Sequence, residues 1–343
     1  DRPVIDNQTP FEACCWPTSS LANDDLAVVV VSGRFDLPLP TKPPPERLVP
    51  CAVQQPPRVE DVYWGDPVES SLRYEGQAVP ERPGTDVHVH GHACAPGGVP
   101  TGRVDVGVRV GPITRAAAVF GERIWTEGAF GWQPTTPVPF DRMPLSYERC
   151  FGGRTDAARG SAAGAGGRNP VGRGLFESAR AAKRQRLPNV EDPSRLLRSP
   201  ADRPAPQGFG PIPRHWAPRH HYAGTYDEVW VRTRAPLWPD DVRPQLLSAA
   251  TPGMCAIPYL TGGEPVALVG MHPDGPIRFT LPSFAMRAEF RLRSNTVERA
   301  MVLDEVLLEP DEGVVTLTWR ANAPVVPDMG VLRAVTVREE QVA

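Results

Sequence analysis

Several features are missing from this sequence, and each absence excludes a class of protein. The clearest apolar run is the short Leu26–Val31, far below the roughly 20 residues that a membrane-spanning helix needs. The six cysteines form no CxxC pair and have no regular spacing, which argues against a disulfide scaffold. The N-terminal residues do not combine a charged region with an apolar one. We therefore expect no membrane span and a location in a reducing cytoplasm.

Known catalytic motifs are also missing. The sequence contains no G-x-S-x-G, no H-E-x-x-H, no Walker-type phosphate loop and no G-x-G-x-x-G. We accordingly predict a protein that is not an enzyme and that carries no cofactor. One alternative stays open, a carbohydrate-active or metal-dependent hydrolase built on a β-sandwich. Glu148 and Asp227 could supply the carboxylate pair that glycosidases use.

Proline, by contrast, is abundant, at 42 of 343 residues, and 31 glycines accompany it. Proline lacks an N–H donor and fixes φ, so helix interiors and central strands exclude it. A chain with this composition must consist of short elements joined by many turns. The composition therefore favours a mainly β fold over a helical bundle or a doubly wound sheet.

Strands are indicated by runs that alternate apolar and polar residues or are rich in β-branched ones. The clearest runs are Leu26–Val31, Thr85–His90, Arg103–Val110, Met286–Arg293 and Gly313–Trp319. In Arg103–Val110 every second residue is valine, which predicts one buried face. Asp311–Gly313 separates two of the runs and predicts a hairpin connection.

We expect two sandwich-like, β-rich units with a few short helices in the middle and second half of the chain. The N-terminal unit covers residues 1–150 and the C-terminal unit residues 208–343. Between them, residues 151–207 form a connecting segment rich in Gly, Arg and Pro, of which 154–167 are expected to be flexible. The helix candidates are Leu175–Arg186, Tyr222–Arg234 and Asp240–Ala250.

Charge is distributed unevenly along the chain. Residues 154–203 hold ten arginines and one lysine against five acidic residues, although the whole chain has a formal net charge of −3. Such a basic segment in an acidic body indicates either a partner surface or internal ion pairs. Nucleic acid is not an expected partner, because the chain as a whole is acidic and shows no nucleic-acid-binding signature.

Three histidines make the most suggestive chemical cluster. His88 and His90 would share one face of a strand, and His92 with Cys94 could complete a zinc site if the turn at Gly91 folds back. Histidines two apart are also common on solvated strand faces, and no carboxylate can be assigned to support them. We therefore predict no metal site here.

Several blocks of the sequence resemble one bacterial family. They are Pro144–Gly153, Asn169–Gly174, Leu187–Glu191, Gly208–Arg219 and Tyr222–Trp230, with Ser70–Glu75, Pro83–Asp86, Gly91–His92, Gly262–Glu264 and Leu281–Pro282 on the flanks. In this order they resemble the "domain of unknown function 2169" family, which is found with type VI secretion genes. The resemblance covers nearly the whole chain.

The resemblance implies a cytoplasmic adaptor or chaperone without enzymatic activity. Its expected partners are a toxic effector or a PAAR-like spike-tip protein and the VgrG spike onto which that client is loaded. Arginine forks and aromatic rings are suited to such contacts. The partner-binding candidates are Tyr147, Arg149, Phe151, Asn169, Arg173, Arg214, Trp216, Arg219, Tyr222, Tyr226, Asp227 and Trp230.

The same residues have a second interpretation, as structural core. Glycines 152, 153, 172 and 174 would then provide turns. Arg149 or Arg173 would pair within the chain with Glu148, Glu191 or Asp227. The sequence leaves both interpretations open.

Overall fold

The computed structural model describes residues 4–129, 131–154 and 165–340. The expected flexibility of 154–167 falls mostly on residues outside these ranges. Within them the chain is built almost entirely from strands, which confirms the expected mainly β fold.

Twenty-three strands are present in the described ranges. In chain order they are β1 (Val4–Asn7), β2 (Glu12–Ser19), β3 (Asp25–Asp36), β4 (Val62–Tyr63), β5 (Leu72–Tyr74), β6 (Thr85–Val89), β7 (His92–Cys94), β8 (Arg103–Val110), β9 (Ile113–Phe120), β10 (Trp125–Gly128), β11 (Gly131–Pro134), β12 (Arg142–Pro144), β13 (Phe151–Gly152), β14 (Arg173–Gly174), β15 (Val190–Glu191), β16 (Cys255–Ala256), β17 (Pro265–Val269), β18 (Ile277–Thr280), β19 (Met286–Leu292), β20 (Thr296–Ala300), β21 (Val302–Glu309), β22 (Val314–Pro324) and β23 (Leu332–Glu339).

Three larger sheets organise these strands. Their strand orders are β16-β6-β21-β22-β3-β2, β15-β9-β8-β17-β18 and β1-β23-β19-β20. The four remaining sheets are two-stranded: β4-β5, β7-β12, β10-β11 and β13-β14. The six-stranded sheet combines strands from the first and last thirds of the chain, and one hydrophobic cluster extends from Phe11 to Val337. How the chain divides into folding units stays a prediction.

The strands predicted from periodicity are present. Leu26–Val31 lies inside β3, and in β8 the four valines are buried while Arg103, Asp105 and Arg109 are exposed. The Asp311–Gly313 turn joins β21 to β22 as an antiparallel hairpin, and Gly313 has a φ of 68°. Such a φ is readily adopted only by glycine.

Two of the helix predictions are wrong and a third is shorter than expected. In Leu175–Arg186 only Arg180–Ala182 forms a single 3-10 turn, because Lys183 and Arg186 bridge to Trp125 and Ile124 and Arg184 has a positive φ. Pairing with neighbouring chain has overridden local helix propensity there. In Asp240–Ala250 only Pro244–Leu247 is helical.

The third candidate contains the one α-helix in the described ranges, α1 (Glu228–Thr233). It begins late because Gly224 has a φ of 84° and Thr225 bonds to Asp241 rather than into a helix. The other helical segments are 3-10 turns at Pro96–Gly98, Tyr147–Arg149, Ala165–Arg168, Arg219–Tyr222 and Met329–Val331. Among the described helices, none has the length and apolar character that crossing a bilayer requires.

Candidate partner-binding site

The side chain of Asn169 connects two of the family-like blocks, Pro144–Gly153 and Asn169–Gly174. Its side chain is fully buried, and its amide nitrogen donates to the carbonyl oxygens of Tyr147 at 2.7 Å and Phe151 at 3.1 Å. A Cβ on Gly152 would lie 2.1 Å from the Asn169 carbonyl oxygen, so only glycine fits there. These contacts tie the 147–152 chain to the turn at 169–172.

Aromatic side chains from the blocks pack inward on both sides of Asn169. Tyr147 and Trp216 meet edge to face, with ring centroids 5.5 Å apart, and Ile212 completes that cluster. Phe151 belongs to a second cluster with Trp125. Buried edge-to-face pairs stabilise a fold beyond the area that they bury.

Arg149 and Arg173 share one carboxylate, that of Glu122, which was not predicted as their partner. Both guanidinium groups pair with Glu122, at 2.5 Å and 3.4 Å, and the Arg173 Nε–H donates to the Glu148 carbonyl oxygen at 3.1 Å. The two arginines were expected to pair with Glu148, Glu191 or Asp227, and their ion pairs are formed with Glu122 instead. Arg186 lies 3.7 Å from the same Glu122. One carboxylate therefore offsets only part of the positive charge of these three arginines.

Arg219 is buried in a network of charged side chains. It pairs with Glu75, and it also donates to the carbonyl oxygens of Ile212 and Leu246, both at 2.8 Å. Burial alone would raise the pKa of Glu75, but Arg219 and Arg82 lower it to about 2. Arg214 lies 3.8 Å from the same carboxylate, and its side chain stays largely exposed.

Arg82 is the hub of this network. Its fully buried guanidinium lies 2.8 Å from Glu75, 2.7 Å from Asp86, 3.5 Å from Glu305 and 3.8 Å from Asp304. Further guanidinium groups, those of Arg58 and Arg320, pair with Glu305 and Asp304. The network joins segments more than 200 residues apart in sequence, and no local pattern in the sequence indicated it.

Five of the twelve predicted partner residues are thus buried, namely Tyr147, Phe151, Asn169, Trp216 and Arg219. In this conformation their side chains mainly pack and pair within the protein. Their direct contact with a partner stays a prediction, and the structural interpretation accounts for their position.

Tyr226, Asp227 and Trp230 lie on a different part of the surface, in the α1 segment, which we define as residues 225–238. Asp227 caps α1 by accepting the Trp230 amide at 2.8 Å, and the Trp230 indole donates to the Leu237 carbonyl oxygen at 2.9 Å. The Trp238 amide donates to Asn23 at 2.8 Å, which fixes the end of the segment to the body. Tyr222 precedes it, half-buried.

This well-bonded segment exposes large apolar side chains. The exposed fractions are 51% for Tyr226, 57% for Val229, 61% for Val231 and 48% for Leu237. Tyr226 lies edge to face against Trp230, with centroids 4.7 Å apart. These four residues fall within twelve positions of the sequence, and exposed apolar groups that lie together commonly mark a binding surface. Val229, Val231 and Leu237 were not predicted as site residues.

A groove of about 730 Å³ brings together residues from four of the family-like blocks. These are Ser70–Arg73, Gly91 with His92, Pro144–Glu148 and Gly210. The Arg73 guanidinium stacks on the exposed Trp64 ring at 4.4 Å, and Glu148 accepts hydrogen bonds from Ser71 at 2.7 Å and 3.1 Å. Residues that line the groove therefore already contact and hydrogen-bond one another.

The histidines are arranged for packing. His88 is buried with no hydrogen-bond partner for either ring nitrogen in the described ranges, and His90 packs edge to face against Trp64 and Tyr74. His92 lies 2.6 Å from Asp311 instead of turning toward His88. In the part of the chain that the structure describes, no cluster of three or more His, Cys, Asp or Glu could hold a metal ion.

Burial of His90 predicts a loss of stability in mild acid. Burial lowers the pKa of His90 to about 3, against about 6.5 in an unfolded chain. Below pH 6.5 the unfolded state therefore binds a proton that the folded state does not, and stability falls as the pH drops toward 3. Between pH 7 and pH 5 this group should cost about 2 kcal/mol of unfolding free energy.

Urea unfolding at both pH values measures this loss. His90→Phe should reduce the difference between pH 7 and pH 5 by about 2 kcal/mol, while His221→Gln, at an exposed histidine, should leave it unchanged. An identical pH dependence for the wild type and His90→Phe would show that His90 does not titrate in this way.

Comparison with known families decides the classification. A family model described as "uncharacterized protein conserved in bacteria (DUF2169)" matches residues 22–320. The chain belongs to the DUF2169 family. No curated protein and no solved structure matches the chain. The match spans the buried network, the Asn169 turn, the groove and the α1 segment of this DUF2169 protein.

Proposed function

We propose that this DUF2169 protein is a non-catalytic adaptor of a bacterial type VI secretion system. It binds an effector or a PAAR-like spike-tip protein in the cytoplasm and helps to load it onto the VgrG spike. The observation that carries the proposal is the α1 segment, where Tyr226, Val229, Val231 and Leu237 are exposed on a segment held by capping and indole hydrogen bonds. The resemblance of the surrounding blocks supports the type of client.

The α1 segment is preorganised for binding by its own hydrogen bonds. An interface gains most of its free energy from a few apolar and aromatic anchors, and it loses less when those anchors are already fixed. Asp227, Trp230 and Asn23 hold the α1 segment through side-chain hydrogen bonds. A client that covers the segment therefore buries apolar area with little ordering cost. The exposed Arg232 on α1 is placed to meet a client carboxylate.

The double variant Val229→Glu/Val231→Glu should weaken capture of the client by roughly tenfold or more, because it replaces two apolar anchors with charges. Glutamate keeps the helix propensity of the segment. The measurement is co-purification of a tagged chain with the effector or PAAR-like protein encoded beside it. The control Val68→Glu/Val99→Glu changes two valines that are 66% and 68% exposed elsewhere.

Equal capture by both double variants, each folded by circular dichroism, would contradict the proposed surface. Failure of the wild-type chain to capture any neighbouring effector, PAAR-like or VgrG protein would contradict the adaptor function itself. Hydrolysis of a glycan by the purified protein would contradict the non-catalytic assignment and favour the hydrolase alternative.

A further inference from the structure

A second cavity, of about 360 Å³, is lined in part by Tyr147, and none of the described residues that line it is acidic. Its polar lining includes Arg115, Tyr147 and Arg168, and its apolar walls include Pro206, Ile212 and Pro218. This size is near the lower end of the roughly 300–1,000 Å³ typical of small-molecule sites. We call it the Arg115 cavity.

Arg115 forms no ion pair with a carboxylate in the described ranges, although the charge of Asp192 acts on it from a greater distance. Its guanidinium donates to the carbonyl oxygens of Pro252 at 3.1 Å and Pro206 at 3.5 Å, and to the Gln207 side-chain oxygen at 3.2 Å. Its Nε–H has no acceptor within the described ranges. Burial lowers the pKa of Arg115, but an arginine remains charged near neutral pH. A half-buried cation held only by neutral groups is costly, and an anion would offset that cost.

Tyr147 adds a neutral hydrogen-bond donor. Burial raises the pKa of its phenol, which Thr251 and Arg115 oppose only in part, so the hydroxyl keeps its proton at neutral pH. That hydroxyl makes no hydrogen bond of good geometry with the residues described. Tyr147 is 3% exposed, so the donor is buried beside the cavity. The packing of Tyr147 against Trp216 involves its ring and not this hydroxyl.

Arg168 supplies a second cation to the lining. It is exposed and forms no ion pair with any described residue. The cavity therefore combines one half-buried guanidinium, one exposed guanidinium and one buried phenol. Two positive charges and a neutral donor, with no lining carboxylate, are suited to an oxyanion.

We infer that the Arg115 cavity binds a carboxylate carried on a small apolar group, as at a free chain terminus that ends in an aliphatic residue. The carboxylate would pair with Arg115 and accept from Tyr147, while the aliphatic group would lie against Pro206, Ile212 and Pro218. Inorganic phosphate offers the same charge without the apolar group. This site does not depend on the adaptor proposal, because none of its residues lies in the α1 segment.

Isothermal titration with three probes tests the inference. N-acetyl-leucine should bind at millimolar concentration or below. N-acetyl-leucinamide, which lacks the charge, should bind roughly tenfold more weakly or not at all. Inorganic phosphate should bind more weakly than N-acetyl-leucine, because it gains nothing from the apolar walls. Phosphate binding as tight as that of N-acetyl-leucine would overturn the assignment of an apolar carboxylate.

Matched variants locate the binding. Arg115→Gln should weaken N-acetyl-leucine binding roughly tenfold or more, and Tyr147→Phe about two- to tenfold while it preserves the ring packing. Arg109→Gln, at an exposed arginine on the neighbouring strand, and Val229→Glu/Val231→Glu should change nothing. No binding by the folded wild type, or wild-type affinity in the Arg115→Gln variant, would overturn the inference.

Discussion

Replacement of Arg82 with methionine should lower the free energy of unfolding by about 3–5 kcal/mol, because it leaves buried carboxylates without the cation that compensates their charge. Arg82 is fully buried and lies within 3 Å of both Glu75 and Asp86. Burial raises the pKa of Asp304, which Arg320 and Arg82 oppose. Removal of Arg82 thus weakens the compensation of every acid in the network. Urea unfolding followed by circular dichroism measures the loss.

Two control variants separate this effect from a general loss of charge. Arg103→Met removes a surface ion pair with Asp105 and should cost under about 1 kcal/mol. Arg82→Lys keeps the charge but not the planar fork, so it should be intermediate. If Arg82→Met costs no more than Arg103→Met, the network does not support the fold as described.

Gly152→Ala should destabilise the protein by at least the roughly 1–3 kcal/mol typical of overpacking. The added Cβ would lie 2.1 Å from the Asn169 carbonyl oxygen and 2.8 Å from the Asn169 Cβ. Relief of that clash would pull Asn169 away from Tyr147 and Phe151. Thermal unfolding should report a clearly lower midpoint.

Gly107→Ala is the matched control for this substitution. It adds the same Cβ to a strand where the nearest atom, the Val269 Cβ, is 3.9 Å away. Its effect should stay within about 0.5 kcal/mol or be slightly stabilising. Equal midpoints for the two alanine variants would show that the Asn169 turn tolerates a side chain and is not tightly packed.

The strands could be predicted because their signal is local. Alternation in Arg103–Val110 and the β-branched run at Leu26–Val31 each depend on neighbours in sequence, and both produced strands with the expected burial. The Leu175–Arg186 helix was wrong for the opposite reason. There, bridges from Lys183 and Arg186 to distant chain determine the conformation.

The charged network could not be predicted, because its partners are far apart in sequence. Arg82 and Glu305 are separated by 223 residues, and Arg219 and Glu75 by 144. Arg219 in an arginine-bearing block suggested a partner surface, and only the packed structure places it against Glu75. Charge reversal at Arg219 would therefore test folding before it tested client capture.

The candidate site was predicted in part. Tyr226, Asp227 and Trp230 were identified from a family-like block, and all three lie in or beside α1. Their exposure, and that of Val229 and Val231, depends on a helix of only six residues. Sequence alone could not fix that length, because Gly224 and the Thr225–Asp241 bonds determine where the helix begins.

Hydrogen–deuterium exchange of the full chain, with and without the PAAR-like protein or effector encoded beside it, tests the central claim most directly. The account predicts slower exchange at residues 225–238 in the complex, and no such change in a mixture with Val229→Glu/Val231→Glu. Protection confined to the groove around Trp64 and Arg73, with residues 225–238 unchanged, would contradict it.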